Sequence, residues 1–304
     1  MRVAAVDVGT NTVRLLLATV QQVGERVVLE SAQRHEVITR LGEGLDATGR
    51  LGEQPMERAL AGLRRYAETI SGADVTAAGG VATAATRSAA NGHLFAEEMA
   101  AILGFRPRVI DGVEEARLAF TGATTHLASG PVYCVVDVGG GSTEFVIGAE
   151  HPEYAASIDI GSVRLTERMV ALGLSNPTQA RRHVDELFDS VVAPVAPDVV
   201  VGSGGTFVTL AAVAKQVTTD HIERADPVVL SFDDVEHSVD FLLDLTVDEI
   251  AALPSVPAPR AGVLQAGVIC AERALAHMGA DAVQISVRDI LDGLAMELAT
   301  KAGS

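Results

Sequence analysis

The chain has 304 residues, of which 48% are hydrophobic, and it carries a formal net charge of −17. This length accommodates two domains with separate cores. The acidic balance, the 4% aromatic content and the lack of tryptophan argue against recognition of nucleic acid by a basic or base-stacking surface. No apolar run approaches the roughly 18 residues that a membrane span needs, so we expect no membrane association.

The first half of the chain alternates strand and helix patterns. β-branched runs predict strands, and apolar residues at helical spacing before a glycine predict helices. The predicted elements are a hairpin over Val3–Leu17, a strand at Val27–Glu30, a loop at Thr39–Leu45, a helix over Glu53–Ser71, a strand at Val75–Val81, a helix over about His93–Leu103, a strand at Arg106–Ile110 and a helix that begins at Gly112.

The second half repeats this alternation. Its predicted elements are a hairpin over Val132–Gly148, a strand at Tyr154–Ile160, a helix over Asn176–Phe188, a strand at Asp198–Val201, a helix that follows Gly202–Thr206 and runs to about Val217, a helix capped by Ser231, a helix over Arg260–Met278, a strand at Ala282–Val287 and a helix over Asp289–Ala302. Together the two halves predict an α/β fold in two lobes. We place the domains at 1–123 and 124–304.

Early entry into a strand leaves no room for a signal peptide, so we expect a cytoplasmic protein. Cys134 and Cys270 both lie in apolar stretches. We therefore expect two reduced core cysteines rather than a disulfide or a metal site.

The strongest local signal is the segment DVGGGSTE, from Asp137 to Glu144. Apolar runs on both sides predict a hairpin with a polar tip. Successive glycines let the backbone approach a ligand, and their N–H groups can form a concavity for phosphate. Asp137 is then placed to meet a cation that accompanies the phosphate, and Ser142 and Thr143 add hydroxyl donors.

The same layout occurs near the N-terminus. A shift of 130 positions places Asp7 on Asp137, Gly9 on Gly139 and Thr12 on Ser142. Asp-Gly and Gly-Gly pairs also form ordinary tight turns. The recurrence nevertheless favours two related half-domains, each with a phosphate loop, and a cleft between them could hold one phosphate from two sides. A Rossmann loop and a Walker loop both fit poorly, because no helix opens after the glycines and no Gly-Lys-Ser/Thr occurs.

Three further signals are weaker. Gly202–Thr206 joins a strand to a helix, where amides can face a phosphate, although close packing alone also needs glycines. Glu114 and Glu115 lie in a first helical turn, where acidic residues are common, but hydrolysis of a phosphate needs a group that positions water. Arginines near turns suit phosphate or a solvated surface; they are Arg14, Arg87, Arg117 and Arg164.

Six motifs in order give the chain a specific resemblance to a known family: DVGTNTVRLL, ATAATRSAANG, IDGVEEARLAF, DVGGGSTEFVIG, IGSVRLTE and VGSGGT. They resemble the exopolyphosphatase / guanosine pentaphosphate phosphohydrolase family in its short, two-domain form. The resemblance runs from residue 3 to about residue 298. It implies a duplicated ribonuclease-H-like fold of the actin-like ATPase superfamily, with the active site in the interdomain cleft. It also implies hydrolysis of the terminal phosphate of inorganic polyphosphate with Mg2+ or Mn2+.

The resemblance and the loop patterns together assign roles to individual residues. The resemblance implies that Glu115 is the catalytic base and that Arg87 assists it. It implies metal binding by Asp7, Asp137 and Glu144. The expected substrate-binding residues are Gly9, Thr10, Asn11, Thr12, Arg14, Gly139, Gly140, Gly141, Ser142, Thr143, Gly204, Gly205 and Thr206.

The chain departs from the family pattern near its C-terminus. Arg260 lacks the acidic residue that follows in relatives, and the segment Asp289–Gly293 stands where relatives have a Leu-Arg-Glu-Gly motif. We therefore expect a preference for short polyphosphate. Three alternatives stay open: hydrolysis of guanosine pentaphosphate, a kinase of the same superfamily, and a phosphate sensor without turnover. We also expect a homodimer, from the apolar-rich composition.

Overall fold

The computed structural model describes residues 1–23, 26–225 and 227–303. Its contacts divide the chain into two compact units. The first contains Met1–Thr125 together with Asp289–Ser304, and the second contains His126–Arg288. Across these described ranges, no helix combines the length and the apolarity that crossing a membrane requires.

A five-stranded sheet forms the centre of the first unit. Its strand order is β3-β2-β1-β4-β5, with β1 to β3 antiparallel and β4 and β5 parallel to β1. The strands are Arg2–Val8 (β1), Thr12–Val23 (β2), Arg26–Ile38 (β3), Ala77–Ala82 (β4) and Arg108–Val109 (β5). The helices are Leu45–Thr48 (α1), Glu53–Ser71 (α2), Ala84–Ser88 (α3), Gly92–Leu103 (α4) and Gly112–Thr124 (α5).

The second unit is built on a six-stranded sheet with the order β10-β11-β9-β6-β7-β8. Its strands are Tyr133–Val138 (β6), Thr143–Gly148 (β7), Pro152–Ile158 (β8), Val199–Ser203 (β9), Val228–Ser231 (β10) and Ala282–Ile285 (β11). Its helices are Ser162–Ala171 (α6), Pro177–Phe188 (α7), Gly204–Lys215 (α8), Thr219–Arg224 (α9), Phe232–Leu243 (α10), Val247–Ala252 (α11) and Ala261–His277 (α12), and the last helix of the chain is Ile290–Gly303 (α13).

The two sheets share one topology. In each, three antiparallel strands are followed by strands parallel to the first one, so that β3-β2-β1-β4-β5 corresponds to β8-β7-β6-β9-β11. The second sheet adds β10, which is antiparallel to β11. The prediction of a duplicated α/β fold of the ribonuclease-H-like type is confirmed.

Strand β1 shows how the first unit builds its core. Ala4 and Val6 face one side of the sheet, where they join a cluster with residues of α2 and α4. Val3 and Ala5 face the other side, where the cluster contains residues of α5 and α13. Since side chains alternate along a strand, the unbroken apolar run from Val3 to Val6 shows that β1 is covered on both faces. Helix α13 is therefore part of the core of the first unit.

This packing differs from the predicted domain ranges of 1–123 and 124–304. Those ranges assigned the last helix to the second domain because it follows β11 in the chain. Its buried residues instead complete the second face of the first sheet, with Leu294 and Ala295 in the cluster that contains Val3 and Leu118. A helix pattern in the sequence does not show which sheet the helix will cover.

Several local predictions agree with the structure, and others do not. Helix α2 has its predicted bounds, and Ser231 caps α10 by accepting the N–H of Asp234 at 3.1 Å. Strand β3 is longer than predicted because its second half is exposed at the sheet edge and lacks an apolar pattern. The short elements α1, α9, α11 and β10 were not predicted.

Both cysteines are buried and free, and burial raises the pKa of each thiol to about 12, as expected for core residues.

Substitution of Gly122 by alanine tests the packing of α5 against α13. A Cβ at Gly122 would lie 1.9 Å from the backbone carbonyl oxygen of Asp289, so the helices would have to separate. Overpacking of this kind costs about 1–3 kcal/mol, and we expect the melting temperature of Gly122→Ala to fall by several degrees. The control is Gly303→Ala at the end of α13, where a Cβ would meet nothing within 4 Å. Equal melting temperatures for the two variants would contradict the close packing.

Candidate active site

The first phosphate loop is a tight turn between β1 and β2. The N–H of Gly9 donates to the carbonyl of Thr12 at 2.9 Å. The carbonyl of Thr10 accepts from Gly42 at 2.8 Å, and the carbonyl of Asn11 accepts two N–H groups from the segment after β3 at 2.9 Å. A Cβ at Gly42 would lie only 2.3 Å from the Thr10 methyl group, so the two segments need this glycine. The loop carbonyls are thus bonded into the protein.

The second loop, between β6 and β7, repeats this arrangement. The N–H of Gly139 donates to the carbonyl of Ser142 at 3.0 Å. The carbonyl of Gly139 accepts from Ser162 at 2.9 Å, and the carbonyl of Gly140 accepts two N–H groups from the first turn of α6. A Cβ at Gly161 would lie 2.6 Å from the Gly139 carbonyl oxygen, which requires glycine at this position. The start of α6 therefore supports the second loop from behind.

Both loops leave backbone donors for an anion. Over residues 1–23, 26–225 and 227–303, the N–H groups of Asn11, Gly140 and Gly141 donate to no protein acceptor. With the carbonyls turned away, such N–H groups form the kind of concavity that binds phosphate. The predicted register between the two loops is confirmed by the matching bonds of Gly9 and Gly139.

The start of α8 lies beside the second loop. Gly204 has φ +86°, and a Cβ there would lie 2.6 Å from Oδ1 of Asp137. The hydroxyl of Thr206 donates to the carbonyl of Val138 at 3.2 Å. No side chain caps this helix among the residues that the structure describes, so the amides of its first turn are oriented for an anion.

Arg260 contributes a cation to the same end of α8. A Cβ at Gly205 would lie 2.1 Å from Nη1 of Arg260, so the guanidinium packs directly on this glycine. The sequence singled out Arg260 only for its altered neighbours. Nothing in the sequence pattern placed it against a glycine more than 50 positions earlier in the chain.

Glu115 and Arg87 form a pair in the first unit. Nη1 of Arg87 donates to the carbonyl of Ile110 at 2.8 Å and to Oε2 of Glu115 at 3.1 Å. The N–H of Ile110 donates to the carbonyl of Ala82 at the end of β4. The N–H of Thr83, the residue after β4, donates to the carbonyl of Val8 at the end of β1. The pair and the first loop therefore lie at the carboxyl ends of neighbouring parallel strands, where α/β folds bind ligands. The Glu115 side chain is 15% exposed, so it is partly desolvated but reachable.

The predicted metal ligands differ in their surroundings. Asp7 is 3% exposed, its Oδ2 accepts two bonds from Arg14, and its Oδ1 has no partner in the described part of the protein. Burial raises the pKa of Asp7, and the charge of Arg14 only partly offsets this. In the second unit, Oδ2 of Asp137 lies 3.4 Å from the Ser203 hydroxyl, and Oε1 of Glu144 accepts from Ser157 at 2.7 Å.

The surroundings of these carboxylates suit a cation such as Mg2+ that keeps water and phosphate ligands. They do not suit a metal ion whose ligands all come from protein side chains. No group of three His, Cys, Asp or Glu side chains within the described ranges could hold an ion by itself. Mg2+ is usually held by one or two carboxylates, with waters and substrate phosphates completing its shell. A buried carboxylate oxygen without a partner, as on Asp7, is a suitable ligand for a cation.

Comparison with known proteins decides the family. The model of the Ppx/GppA phosphatase family matches residues 19–302. The chain belongs to the Ppx/GppA phosphatase family. It is 36% identical to Exopolyphosphatase 2 of Mycobacterium tuberculosis, over 98% of both chains.

Solved structures agree with this family. A crystal structure of an exopolyphosphatase-like protein has 33% identity and a TM-score of 0.91, over 100% of this chain and 99% of the other. An exopolyphosphatase from Cytophaga hutchinsonii has 27% identity and a TM-score of 0.84, over 100% of both chains. The resemblance drawn from the six motifs is confirmed.

Some predicted substrate ligands of this Ppx/GppA protein are engaged elsewhere. Thr143 is fully buried, and its hydroxyl donates to the carbonyl of Ile160 at 2.7 Å. A hydroxyl has one hydrogen, so the Thr143 hydroxyl already uses its donor within the protein, and substrate binding by Thr143 stays a prediction. Arg164 pairs with Asp159 at 2.7 Å, and Arg117 is exposed on α5. Strand residues point alternately to the two faces, and Thr143 faces the protein interior.

The sequence did not predict the partners of Arg14. Its guanidinium bonds both Asp7 and Asp289, and Asp292 pairs with Arg34 at 2.6 Å. Asp289 lies 275 positions from Arg14 in the chain. The one available signal was the altered C-terminal motif, which places two acidic residues at the start of the last helix.

Substitution of Gly161 by alanine tests the support of the second loop. The new Cβ would lie 2.6 Å from the oxygen of Gly139 and 2.8 Å from the carbonyl carbon of Gly140, so the loop must shift. Loss of one hydrogen bond to a charged group costs about 1.5–3 kcal/mol, and we expect affinity for tripolyphosphate to fall by roughly tenfold or more. The measurement is titration calorimetry. Gly72→Ala is the control, because its nearest neighbour would be at 3.7 Å; equal affinities would remove Gly161 from the support of the loop.

Proposed function

We propose that the protein is an exopolyphosphatase that hydrolyses the terminal phosphate of inorganic polyphosphate with a divalent cation. The observation that carries this proposal is the Glu115–Arg87 pair at the same sheet edge as the first phosphate loop. The names of the similar proteins support it, since those from Mycobacterium tuberculosis and Cytophaga hutchinsonii are called exopolyphosphatases.

Glu115 is suited to orient the attacking water. Phosphoryl transfer to water requires positioning and charge stabilisation more than covalent chemistry. Arg87 donates to Oε2 of Glu115, and this bond fixes the orientation of the carboxylate. Arg87 also places positive charge at this sheet edge, where the equatorial oxygens of the phosphate become more negative during the reaction.

The loops hold the phosphates. The amides of Asn11, Gly140 and Gly141 and the first turn of α8 would donate to phosphate oxygens, and Arg260 would add charge there. Asp7, Asp137 and Glu144 are the residues that would hold Mg2+ or Mn2+, which neutralises phosphate charge when bound. Without such a cation, these carboxylates would repel the polyanion.

A paired substitution tests the role of Glu115. Glu115→Gln should lower kcat for phosphate release from polyphosphate by about 100-fold or more, the usual size for an acid–base group. Glu114→Gln is the matched control, because Glu114 pairs with Arg108 on the surface and should change kcat by less than about twofold. A Glu115→Gln protein with near-normal kcat would remove this residue from the chemistry.

The same assay separates the alternatives. Tripolyphosphate, long polyphosphate, guanosine pentaphosphate and ATP are compared with Mg2+ or Mn2+, before and after EDTA. Release from polyphosphate that EDTA abolishes supports the proposal, and preferred release from guanosine pentaphosphate replaces it with nucleotide hydrolysis. Consumption of ATP only with an acceptor indicates a kinase, and binding without release indicates a sensor.

The net charge of −17 leads to a prediction about chain length. A long polyanion meets overall repulsion beyond the local site, so kcat/KM should be higher for tripolyphosphate than for chains of hundreds of phosphates. The difference in kcat/KM between short and long chains should shrink as the ionic strength is raised, because salt shortens the distance over which the repulsion acts. That distance is about 8 Å at physiological salt. A kcat/KM that rises steadily with chain length at every salt concentration would contradict the charge explanation.

The predicted homodimer and cytoplasmic location stay predictions.

A further inference from the structure

Arg14 is held between carboxylates from the two ends of the chain. Its Nε and Nη2 donate to Oδ2 of Asp7 at 3.0 and 2.7 Å, and its Nη1 donates to Oδ2 of Asp289. The Arg14 side chain is 18% exposed. Arg14 follows the first phosphate loop by two positions, so its guanidinium is fixed at the base of that loop.

The position of Asp289 is itself fixed. Its Oδ1 accepts the N–H of Leu291 at 2.9 Å, and its own N–H donates to Oδ2 of Asp292 at 3.0 Å. Its backbone carbonyl packs on Gly122 of α5. Asp289 is 6% exposed, so little freedom remains for its carboxylate. The start of α13 is thus a rigid support for Arg14.

This arrangement leaves Arg14 able to bind phosphate. Within the described part of the chain, the two carboxylates use Nε, one N–H of Nη2 and one N–H of Nη1. One N–H on each terminal nitrogen remains, and the planar fork of arginine suits two bonds to a phosphate. A long side chain that is already ordered loses less rotamer entropy when it binds.

We propose that Asp289 is a positioning residue for substrate binding, which orders the Arg14 guanidinium at the first phosphate loop. This inference rests on the proposed function, because it assigns Arg14 to a phosphate of polyphosphate. Asp289 does not touch the substrate and acts through Arg14. Positioning is distinguished from a purely electrostatic effect, in which a second carboxylate only lowers the net positive charge at Arg14 and its removal tightens binding.

The test variant is Asp289→Asn. Asparagine keeps the size of the side chain and can still accept the N–H of Leu291, but it removes the charge that holds Arg14. The matched control is Asp292→Asn, because Asp292 lies in the same turn and pairs with Arg34 rather than Arg14, and an asparagine oxygen can still accept the N–H of Asp289. For each variant, KM and kcat are measured with tripolyphosphate and Mg2+, together with the melting temperature.

We expect Asp289→Asn to raise KM by roughly tenfold, in line with the loss when a positioning group is displaced, while kcat stays within about threefold. Asp292→Asn should lower the melting temperature without a comparable rise in KM. In an Arg14→Gln background, Asp289→Asn should have little further effect on KM, because the two residues act as one unit. An unchanged or lower KM for Asp289→Asn, or equal KM changes in both aspartate variants, would overturn the proposal.

A failure of the proposed function can be told apart from a failure of this inference. If the wild-type protein releases no phosphate from tripolyphosphate but binds it in calorimetry, the exopolyphosphatase proposal fails. Asp289 is then tested by affinity, where Asp289→Asn should bind roughly tenfold more weakly and Asp292→Asn should bind like the wild type. Equal affinities for the three proteins, or no binding by the wild type, would overturn the role of Asp289.

Discussion

The bonding of the loop carbonyls into the protein is the constraint on which both phosphate loops depend. A peptide group presents a donor and an acceptor in opposite directions, so a loop that offers N–H groups to an anion must place its carbonyls elsewhere. In the first unit the acceptors are satisfied by the segment around Gly42, and in the second by the first turn of α6. The glycines at 42 and 161 permit these approaches because a Cβ would collide with the loop. The supporting segments are therefore as necessary as the loops themselves.

Local patterns in the sequence predicted the two loops, and the resemblance carried by six motifs implied the duplicated fold and the roles of Glu115 and Arg87. Asp137 to Glu144 is a contiguous segment, and its repeat at Asp7 can be found by a simple shift. The sequence did not predict contacts between distant positions, such as Arg260 on Gly205 or Asp289 on Arg14. Those contacts depend on how the helices pack against the sheets. The spacing of apolar residues shows only which face of a helix is buried.

The misplaced last helix has the same physical origin. Helices α12 and α13 are both rich in apolar residues, and periodicity alone gives no reason to separate them. The two helices differ in their close contacts, because α13 packs against α5 through a glycine on each helix. A Cβ at Gly293 would lie 2.0 Å from the Leu118 carbonyl oxygen, and Gly122 meets the backbone of α13 in the same way. This close contact brings Asp289 to the first sheet.

The duplicated fold has kept its backbone while the charges on its central strands have diverged. In the first unit, Asp7 lies opposite Arg14, and Arg14 lies opposite Glu36. At the same positions of the second unit, Asp137 lies opposite Glu144, and Glu144 lies opposite Ser157. Like charges directly opposite each other on neighbouring strands are destabilising unless a cation compensates them.

The charges beside the two loops therefore differ. The first unit carries its own compensating cation in Arg14, so its carboxylates are already partly neutralised before a substrate arrives. The second unit places two carboxylates opposite each other beside a loop that offers N–H groups to an anion. The same backbone thus carries an Asp–Arg ion pair beside one loop and an Asp–Glu pair beside the other.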